Sequence, residues 1–346
     1  MSGDTDVLRV LAAGDLFVRP GLLADAVRAE VPDADVREIT LPWPDVPFGP
    51  VGGVEEASGT EDQMIEALDG VVACVTQMAP LTARVLDACP DLRLFCVGRG
   101  GPVNADLAAA AEAGVTVTFA PGRNAVATAE HTIALLLAAA RRVPAVHAEL
   151  RGGTWRGDYY RYDAVGPEVA GATAGIVGYG AIGALVAQRL QGLGAEVVVF
   201  DPYADADALA EAGVEAVEDL DELMRRSSFV TVHARATPET AGLVSAERVA
   251  LLPEGAVLVN CARGSLVDYD AVCDALDAGR LFGAAFDVFP TEPVPDGSRL
   301  LTTEGVVMTP HLAGASRETA HNAAALCAAE VGRFARGEPL VNIARA

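Results

Sequence analysis

The chain of 346 residues is long enough for two domains that each bury a hydrophobic core. It carries 48 acidic residues against 25 basic ones, all of them Arg, so the formal net charge is −23. A surface of this charge repels nucleic acid and anionic membranes, and we expect neither as a partner. A hydrophobic content of 51% with only 5% aromatic residues is typical of an α/β protein rich in Ala, Val and Leu.

The cysteines and the N-terminal residues indicate a cytoplasmic protein. None of the six cysteines belongs to a C-x-x-C pair, and most lie in apolar runs, so we expect buried, reduced thiols. The first residues are acidic where a secretory signal is basic. No apolar stretch reaches the roughly 18 to 20 residues of a membrane span.

The first third of the chain alternates short apolar runs with helical patterns. This alternation predicts a parallel α/β unit of about five strands. The Pro- and Gly-rich stretch 42–59 is interpreted as a surface insertion, with a lid or rim as the alternative. Strands are predicted at 7–13, 36–39, 71–75, 92–97 and 115–119, and helices at 20–30, 61–68, 81–88 and 105–113.

The fourth of these strands ends in Gly98-Arg99-Gly100-Gly101. Successive free N–H groups in such a turn can form an anion-binding concavity. An ordinary strand-to-helix turn accounts for these residues equally well, so the residues alone leave both interpretations open.

A long helix is predicted over 121–142. It is apolar on more sides than a surface helix, which indicates burial between domains or between subunits. His131 lies inside it, and we expect a structural hydrogen-bonding role for this histidine rather than a catalytic one.

The stretch 173–202 predicts a dinucleotide site. A buried strand enters the turn Gly178-x-Gly180-x-x-Gly183, an amphipathic helix follows, and a second buried strand ends on Asp201. Gly178 allows a sharp turn, Gly180 lets the backbone approach a pyrophosphate, and Gly183 lets the helix pack against the sheet.

The start of this helix and the end of the second strand indicate which cofactor binds. Free N–H groups at the start of the helix, near Ala181, would face the phosphates. Asp201 would accept hydrogen bonds from the adenosine ribose and would repel a 2′-phosphate, and no Arg or Lys follows it at 202–204. NAD is therefore favoured over NADP.

After Asp201 the alternation resumes, and three polar side chains follow three separate predicted strands. Strands are predicted at 229–233, 256–260, 283–286 and 306–308, and helices at 220–226, 245–252, 270–277 and 316–336. Arg263, Glu292 and His311 come shortly after the second, third and fourth of these strands. In a doubly wound sheet, ligands bind beyond the carboxyl ends of the strands.

Together these three side chains suit hydride-transfer chemistry on a 2-oxo acid. Arg263 would bind the carboxylate and polarise the carbonyl with its fixed fork of donors. His311 would supply the proton, and the nearby Glu292 would raise its pKa and orient the ring. Each residue taken alone also has an ordinary explanation. Arg263 could cap a helix or form an ion pair, Glu292 could be a solvated loop acid, and His311 could hydrogen-bond to backbone.

The segments GIVGYGAIG, VLVNCARGSLVD, AAFDVFPTEP and TPHLAGAS resemble those of the D-isomer-specific 2-hydroxyacid dehydrogenases, the family of D-3-phosphoglycerate dehydrogenase and glyoxylate/hydroxypyruvate reductases. The resemblance runs from about residue 7 to residue 342. It implies two Rossmann-like doubly wound parallel-sheet domains, with an NAD-binding domain (123–314) inserted into a flavodoxin-like substrate domain (1–122 and 315–346). It also implies a homodimer formed through the helix at 124–142, and two short crossings that act as hinges.

Carried over by position, the resemblance implies roles for individual residues. Arg263 would bind substrate, Glu292 would partner the histidine, and His311 would be the acid/base. The implied substrate turn is Arg99, Gly100 and Gly101; the implied cofactor residues are Gly178, Gly180, Ala181, Ile182, Gly183, Asp201, His233, Thr237, Cys261, Ala262, Asp287 and Gly314.

Some positions depart from the family pattern. The substrate turn reads GRGGPVN instead of a single-glycine turn followed by Asp-Asn, and Arg235 stands where Pro is frequent. Arg99 and Arg235 would favour a phosphorylated or sugar-derived acid, or they are solvated surface charges. The chain ends near its last helix, so a C-terminal regulatory domain is not expected. The expected function is an NAD-dependent D-2-hydroxyacid dehydrogenase acting on a small 2-hydroxy or 2-oxo acid; the alternative is a non-catalytic, NADH-sensing corepressor of the same fold.

Overall fold

The computed structural model describes residues 7–345. The chain divides into two compact units, the first made of Met1–Asn124 with Ala315–Ala346 and the second of Ala125–Gly314. Each unit is built on its own parallel sheet with helices on the faces, which confirms the predicted α/β fold class.

The elements alternate along the chain as strand and helix. Those of the first unit's N-terminal part are β1 (Arg9–Gly14), α1 (Pro20–Glu30), β2 (Asp35–Thr40), β3 (Gly49–Val51), β4 (Val54–Ala57), α2 (Glu61–Ala67), β5 (Ala73–Thr76), α3 (Ala83–Ala88), β6 (Leu94–Val97), α4 (Leu107–Glu112) and β7 (Thr116–Phe119). Those of the second unit are α5 (Ala125–Ala140), α6 (Val143–Arg151), β8 (Thr173–Val177), α7 (Ala181–Gly192), β9 (Glu196–Phe200), α8 (Ala206–Glu211), β10 (Glu215–Ala216), α9 (Leu220–Arg226), β11 (Phe229–Val232), α10 (Ala246–Val249), β12 (Ala256–Asn260), α11 (Tyr269–Asp277), β13 (Leu281–Phe286) and β14 (Val306–Met308). The first unit closes with α12 (Arg317–Ala335).

The first unit is a five-stranded parallel sheet of order β2-β1-β5-β6-β7. Without the two hairpin strands this is the order 2-1-3-4-5 of flavodoxin-like folds, as predicted. Helices α1 and α12 pack on one face, and a second cluster of buried side chains covers the other face with α2, α3 and α4. Because both faces are covered, the inner strands β5 and β6 are buried along their whole length.

The segment 42–59, interpreted from the sequence as a surface insertion, has secondary structure of its own. It contains the antiparallel hairpin β3–β4, whose turn residues Gly52 and Gly53 both have positive φ, as the tight turns of hairpins require. The hairpin is attached to the turn that follows β6, because the N–H of Glu55 donates to the carbonyl of Val103 at 3.1 Å.

The second unit is a seven-stranded parallel sheet of order β10-β9-β8-β11-β12-β13-β14. The order reverses between β8 and β11, which makes this the switch point of a Rossmann-like sheet, where ligands bind. Gly178 follows β8 at this point, and a Cβ there would lie 2.7 Å from the carbonyl carbon of His233, which follows β11. A side chain at position 178 would therefore clash with the backbone that follows β11, so the fold requires glycine at this switch point.

The predicted long helix is shorter in the structure. Helix α5 ends at Ala140 and the separate helix α6 begins at Val143, because Arg142 adopts φ 49° and a proline occupies the first turn of α6. Helix α5 packs on α7 and on the sheet of its own unit, with eight buried residues. Across residues 7–345, the helices are too short or too polar for any of them to cross a membrane.

Candidate active site

His311 and Glu292 form a hydrogen-bonded pair beyond the carboxyl edge of the second sheet. Nδ1 of His311 lies 2.7 Å from Oε2 of Glu292. The other carboxylate oxygen, Oε1, accepts the N–H of Phe289 at 2.9 Å, which fixes the carboxylate plane. The imidazole is half exposed, and because Nδ1 faces Glu292, Nε2 is the nitrogen left for a ligand.

Each partner favours the charged form of the other. The hydrogen bond to Glu292 raises the pKa of His311 above its ordinary value of 6.5, although partial burial opposes the shift. Burial acts to raise the pKa of Glu292, but the hydrogen bonds from His311 and from the Phe289 N–H outweigh it and lower the pKa below 4.5. The pair therefore stabilises the fold between the two shifted pKa values. This stabilisation is lost as pH rises through that of His311 or falls through that of Glu292.

Arg263 lies close enough to this pair for its charge to act on both partners. Its positive charge lowers the pKa of His311 and lowers that of Glu292. The side chain is exposed, and Nη1 donates to the carbonyl of Ala262 at 2.7 Å. The structure thus brings together the three predicted catalytic side chains, which stand 48 positions apart between Arg263 and His311.

The turn that carries Arg263 is held by residues that the sequence did not single out. The Asn260 amide donates to the carbonyl of Arg263 at 2.8 Å, and its oxygen accepts the N–H of Ala262 at 3.0 Å. Asn260 also donates to the hydroxyl of Tyr269 at 3.1 Å, and that hydroxyl donates to the carbonyl of Val288 at 2.6 Å. A buried polar network therefore joins the Arg263 turn to the loop after β13.

A second network holds the loop that carries His311. The buried Asp287 carboxylate accepts the N–H groups of Leu312 and Ala313 and the hydroxyl of Thr309, at 2.9, 2.7 and 2.6 Å. Because Thr309 donates its one proton to Asp287, it accepts at 2.9 Å from Nε2 of His131. His131 thus makes a hydrogen bond of the kind expected for a structural histidine. This loop needs support, because His311 adopts φ 52°, a conformation that side chains other than Gly rarely adopt.

The glycine turn after β8 has the geometry that a pyrophosphate requires. Gly178 has φ 98°, and a Cβ on Gly183 would lie 2.1 Å from the carbonyl oxygen of Gly178. A Cβ on Gly180 would meet nothing within 4 Å, so the space in front of it is open. Gly180 is the N-cap of α7 and has no capping side chain, so the first N–H groups of the helix, from Ala181 and Ile182 onward, are free for an anion.

Asp201 lies at the end of β9 with each carboxylate oxygen held once. Oδ2 accepts the N–H of Tyr179 at 2.6 Å, and Oδ1 accepts the N–H of Tyr203 at 2.8 Å. A carboxylate offers about four lone-pair sites, so two remain for the hydroxyls of a ribose. The residues present at this turn therefore fit a dinucleotide.

Other predicted cofactor residues also lie at strand ends of the second sheet. Burial lowers the pKa of His233 to about 4, and its two shielded ring nitrogens make no hydrogen bond to the described residues. The N–H of Thr237 donates to the Thr240 hydroxyl at 2.8 Å. Burial raises the pKa of the Cys261 thiol to about 12, so the thiol stays protonated and only the backbone of Cys261 and Ala262 can serve a ligand. Gly314 is the last residue of this unit.

The predicted substrate turn belongs to the first unit. Arg99 follows β6, and its Nη1 pairs with Oε2 of Glu56 on the β3–β4 hairpin at 2.7 Å. A Cβ on Gly100 or Gly101 would meet nothing within 4 Å. Their N–H groups donate to no described residue, so the turn has the free donors of an anion-binding concavity.

The hydrogen bond to Glu292 predicts how the imidazole titrates. In Glu292→Gln we expect the pKa of His311 to fall, because the carboxylate charge that stabilises the imidazolium is removed while a hydrogen-bonding group remains. An NMR titration of the ring protons in the parent and variant proteins measures the change. Glu304→Gln, the same substitution in another acid of this unit, is the control, and an unchanged His311 titration in Glu292→Gln would contradict the coupling.

Comparisons with known proteins identify the family. The model of the family described as "D-isomer specific 2-hydroxyacid dehydrogenase, NAD binding domain" matches residues 133–313. A D-3-phosphoglycerate dehydrogenase of Mycobacterium tuberculosis is 40% identical over 91% of this chain and 56% of its own length. A glyoxylate reductase of Korarchaeum cryptofilum is 38% identical over 82% of this chain and 86% of its own length.

Solved structures agree with this assignment. A protein from Thermus thermophilus is 31% identical with a TM-score of 0.77, over 97% of this chain and 99% of its own. A putative D-isomer specific 2-hydroxyacid dehydrogenase from Polaromonas is 27% identical with a TM-score of 0.79, over 98% of this chain and 99% of its own.

The chain spans about half the length of the first curated relatives that it matches, 55% and 56% in two of them. The chain belongs to the D-isomer specific 2-hydroxyacid dehydrogenase family, and its cofactor is NAD.

Proposed function

We propose that the protein is an NAD-dependent dehydrogenase that interconverts a D-2-hydroxy acid and its 2-oxo acid. The observation that carries the proposal is the His311–Glu292 pair, 2.7 Å apart, with the charge of Arg263 acting on both. A raised pKa increases the fraction of His311 that carries a proton, and reduction of a carbonyl consumes that proton. Family membership supports the same reaction class.

In the direction of reduction, Nε2 of His311 donates its proton to the carbonyl oxygen of the 2-oxo acid. NADH, which the glycine turn at 178–183 and Asp201 would hold, would supply the hydride for C2, so that the products balance as the alcohol and NAD⁺. Arg263 binds the carboxylate and stabilises the negative charge that develops on the oxygen. Glu292 remains a carboxylate and orients the ring; in the oxidation direction neutral His311 accepts the hydroxyl proton.

The two units have different roles in this proposal. The first, for which we propose the bounds 1–122 and 315–346, binds substrate, with the N–H groups of Gly100 and Gly101 directed at its carboxylate. The second, proposed as 123–314, binds NAD. Gly180, Ala181 and Ile182 would hold the pyrophosphate with their backbone.

The remaining cofactor contacts are proposed by position. Asp201 accepts from the ribose, and His233 and Thr237 line the adenosine side. The backbone of Cys261, Ala262 and Gly314 would hold the carboxamide. Asp287 acts indirectly, by fixing the loop that carries His311. Its carboxylate already accepts hydrogen bonds from three described donors in that loop.

A histidine variant tests the reaction and separates it from the NADH-sensing alternative. His311→Ala should lower kcat/KM for 2-oxo acids by about 100- to 10,000-fold, because the general acid is lost. The measurement is NADH oxidation with glyoxylate, hydroxypyruvate and pyruvate, and the control is His321→Ala, an exposed histidine of α12. Tight NADH binding by the parent protein without turnover of any 2-oxo acid would instead support the sensor.

The choice of cofactor is tested at Asp201. Asp201→Ala should lower kcat/KM with NADH far more than with NADPH, because the carboxylate accepts from the ribose and repels a 2′-phosphate. Steady-state kinetics with both cofactors measure the ratio, and the exposed Asp207→Ala serves as the control. Equal kinetics of the parent protein with the two cofactors would contradict the proposal.

We also propose a homodimer formed through α5 and the adjoining α6. These helices expose Val126, Leu137, Val143 and Leu150, whose exposed fractions are 51, 37, 52 and 54%. Light scattering at micromolar concentration should give the mass of two chains, and Leu150→Glu should shift the protein toward one chain while Leu301→Glu, an exposed leucine outside these helices, does not. A monomer mass for the parent protein would refute the dimer.

A further inference from the structure

Buried polar atoms without partners collect at one edge of the first sheet. In the described part of this unit they are Oδ2 of Asp15, Oε1 of Gln77, Oδ1 of Asn104, and both Nε and Nη1 of Arg123. Asp15 directly follows β1, Gln77 directly follows β5, and Asn104 and Arg123 lie in the segments after β6 and β7. Because all five strands are parallel, these positions share the carboxyl edge of the sheet. We call these four residues the edge cluster.

Only some polar atoms of the edge cluster make hydrogen bonds within the fold. Oδ1 of Asp15 accepts the N–H groups of Phe17 and Val18 at 2.8 Å each, and Nδ2 of Asn104 donates to the carbonyl of Ala79 at 2.7 Å. These bonds fix the two side chains, while the second oxygen of Asp15 and the amide oxygen of Asn104 have no partner among the described residues. A buried polar group without a partner is costly, so such groups indicate a ligand or bound water.

Two residues of the edge cluster, Asp15 and Arg123, carry opposite charges but are not bonded to each other. Burial raises the pKa of Asp15, and the positive charge of Arg123 opposes that shift. Burial lowers the pKa of Arg123 to about 10 and the charge of Arg99 adds to this, yet Arg123 remains a cation at neutral pH. Asp15 and Arg123 therefore affect each other electrostatically but make no hydrogen bond or ion pair in the described structure.

The unpaired groups define the ligand chemistry. Asp15, Gln77 and Asn104 present oxygens that need donors, and Arg123 presents donors that need an oxygen. A phosphate or a second carboxylate supplies no donor and is repelled by Asp15. An ammonium group would lie near Arg99 and Arg123. A carbon chain bearing hydroxyl groups both donates and accepts, and it satisfies the whole set.

We propose that the edge cluster binds the hydroxylated carbon chain of the substrate, so that the substrate is a polyhydroxylated, sugar-derived 2-hydroxy acid. The inference rests on the proposed function, in which Gly100 and Gly101 of the same edge bind the substrate carboxylate. Asp15 and Gln77 accept from chain hydroxyls, and Arg123 donates to the oxygens of the same chain.

A pair of 2-oxo acids of equal length tests the substrate class. 2-Ketogluconate carries hydroxyls along its chain, whereas 2-oxohexanoate has the same number of carbons and none. The parent enzyme should reduce 2-ketogluconate with a kcat/KM at least about 100-fold higher, because a site built to bond hydroxyls rejects the analogue that lacks them. 3-Phosphohydroxypyruvate is the third substrate, and it should be the poorer one relative to 2-ketogluconate.

Variants of the edge cluster connect this preference to the residues. Asp15→Asn keeps the oxygen that holds Phe17 and Val18 but replaces the free acceptor with a donor. In Asp15→Asn and in Arg123→Gln, the ratio of kcat/KM between the two six-carbon acids should fall by about tenfold or more. Asp25→Asn, an exposed carboxylate of α1, should keep the parent ratio. Circular dichroism checks that each variant is folded. If Asp15→Asn or Arg123→Gln is not folded, Gln77→Met is measured in its place.

The outcomes separate this inference from the proposed function. Equal kcat/KM for the two six-carbon acids, or a preference for 3-phosphohydroxypyruvate, would overturn the inference and leave the dehydrogenase intact. An unchanged ratio in folded variants would overturn it too, since it would mean that water alone fills the edge. Failure of the parent enzyme to reduce any 2-oxo acid would overturn both.

Discussion

The hydrogen bond between Glu292 and Nδ1 of His311 is the contact on which the candidate chemistry depends. It raises the pKa of the imidazole and leaves Nε2 as the nitrogen that a substrate can reach. The backbone at His311, which carries the ring, adopts φ 52°. Asp287 supports that conformation by accepting from Leu312, Ala313 and Thr309, so a buried carboxylate that need not contact substrate sets the position of the proposed acid/base.

Both units use the same property of parallel sheets, which is that all strands end at one edge. In the second unit this edge carries the glycine turn, Asp201, Arg263 and His311. In the first it carries the turn at Arg99 and the edge cluster. Since the inner strands are buried on both faces, polar groups among them gather where the strands end. The proposed chemistry of each unit therefore lies at one edge.

Much of this arrangement could be predicted because it is encoded locally. The glycine turn, its helix and Asp201 lie within one stretch of chain, and each glycine has a steric reason that the structure repeats, as at Gly183 beside the carbonyl of Gly178. The catalytic set was predicted from strand ends alone, and the structure places Arg263 close to Glu292 and His311. Family resemblance added the inserted arrangement of the NAD-binding domain.

What could not be predicted depends on partners far apart in sequence. His131 meets Thr309 only after α5 has packed beside the sheet, and no local pattern marks that contact. The hairpin β3–β4 was missed because its strands are short and lie in a Pro- and Gly-rich stretch, and no element was predicted over 143–151, where α6 lies. The edge cluster could not be predicted for the same reason. Asp15, Gln77 and Arg123 follow three separate strands, and no local sequence pattern marks any of them.

The most direct measurement is the pH dependence of kcat/KM in both directions with one pair of 2-hydroxy and 2-oxo acids. If His311 held by Glu292 is the proton donor and acceptor, reduction should decline and oxidation should rise across the same apparent pKa, and this pKa should lie above the ordinary value of 6.5. Profiles that are flat in both directions, or that turn at a pKa below 6.5, would show that this imidazole does not carry the proton.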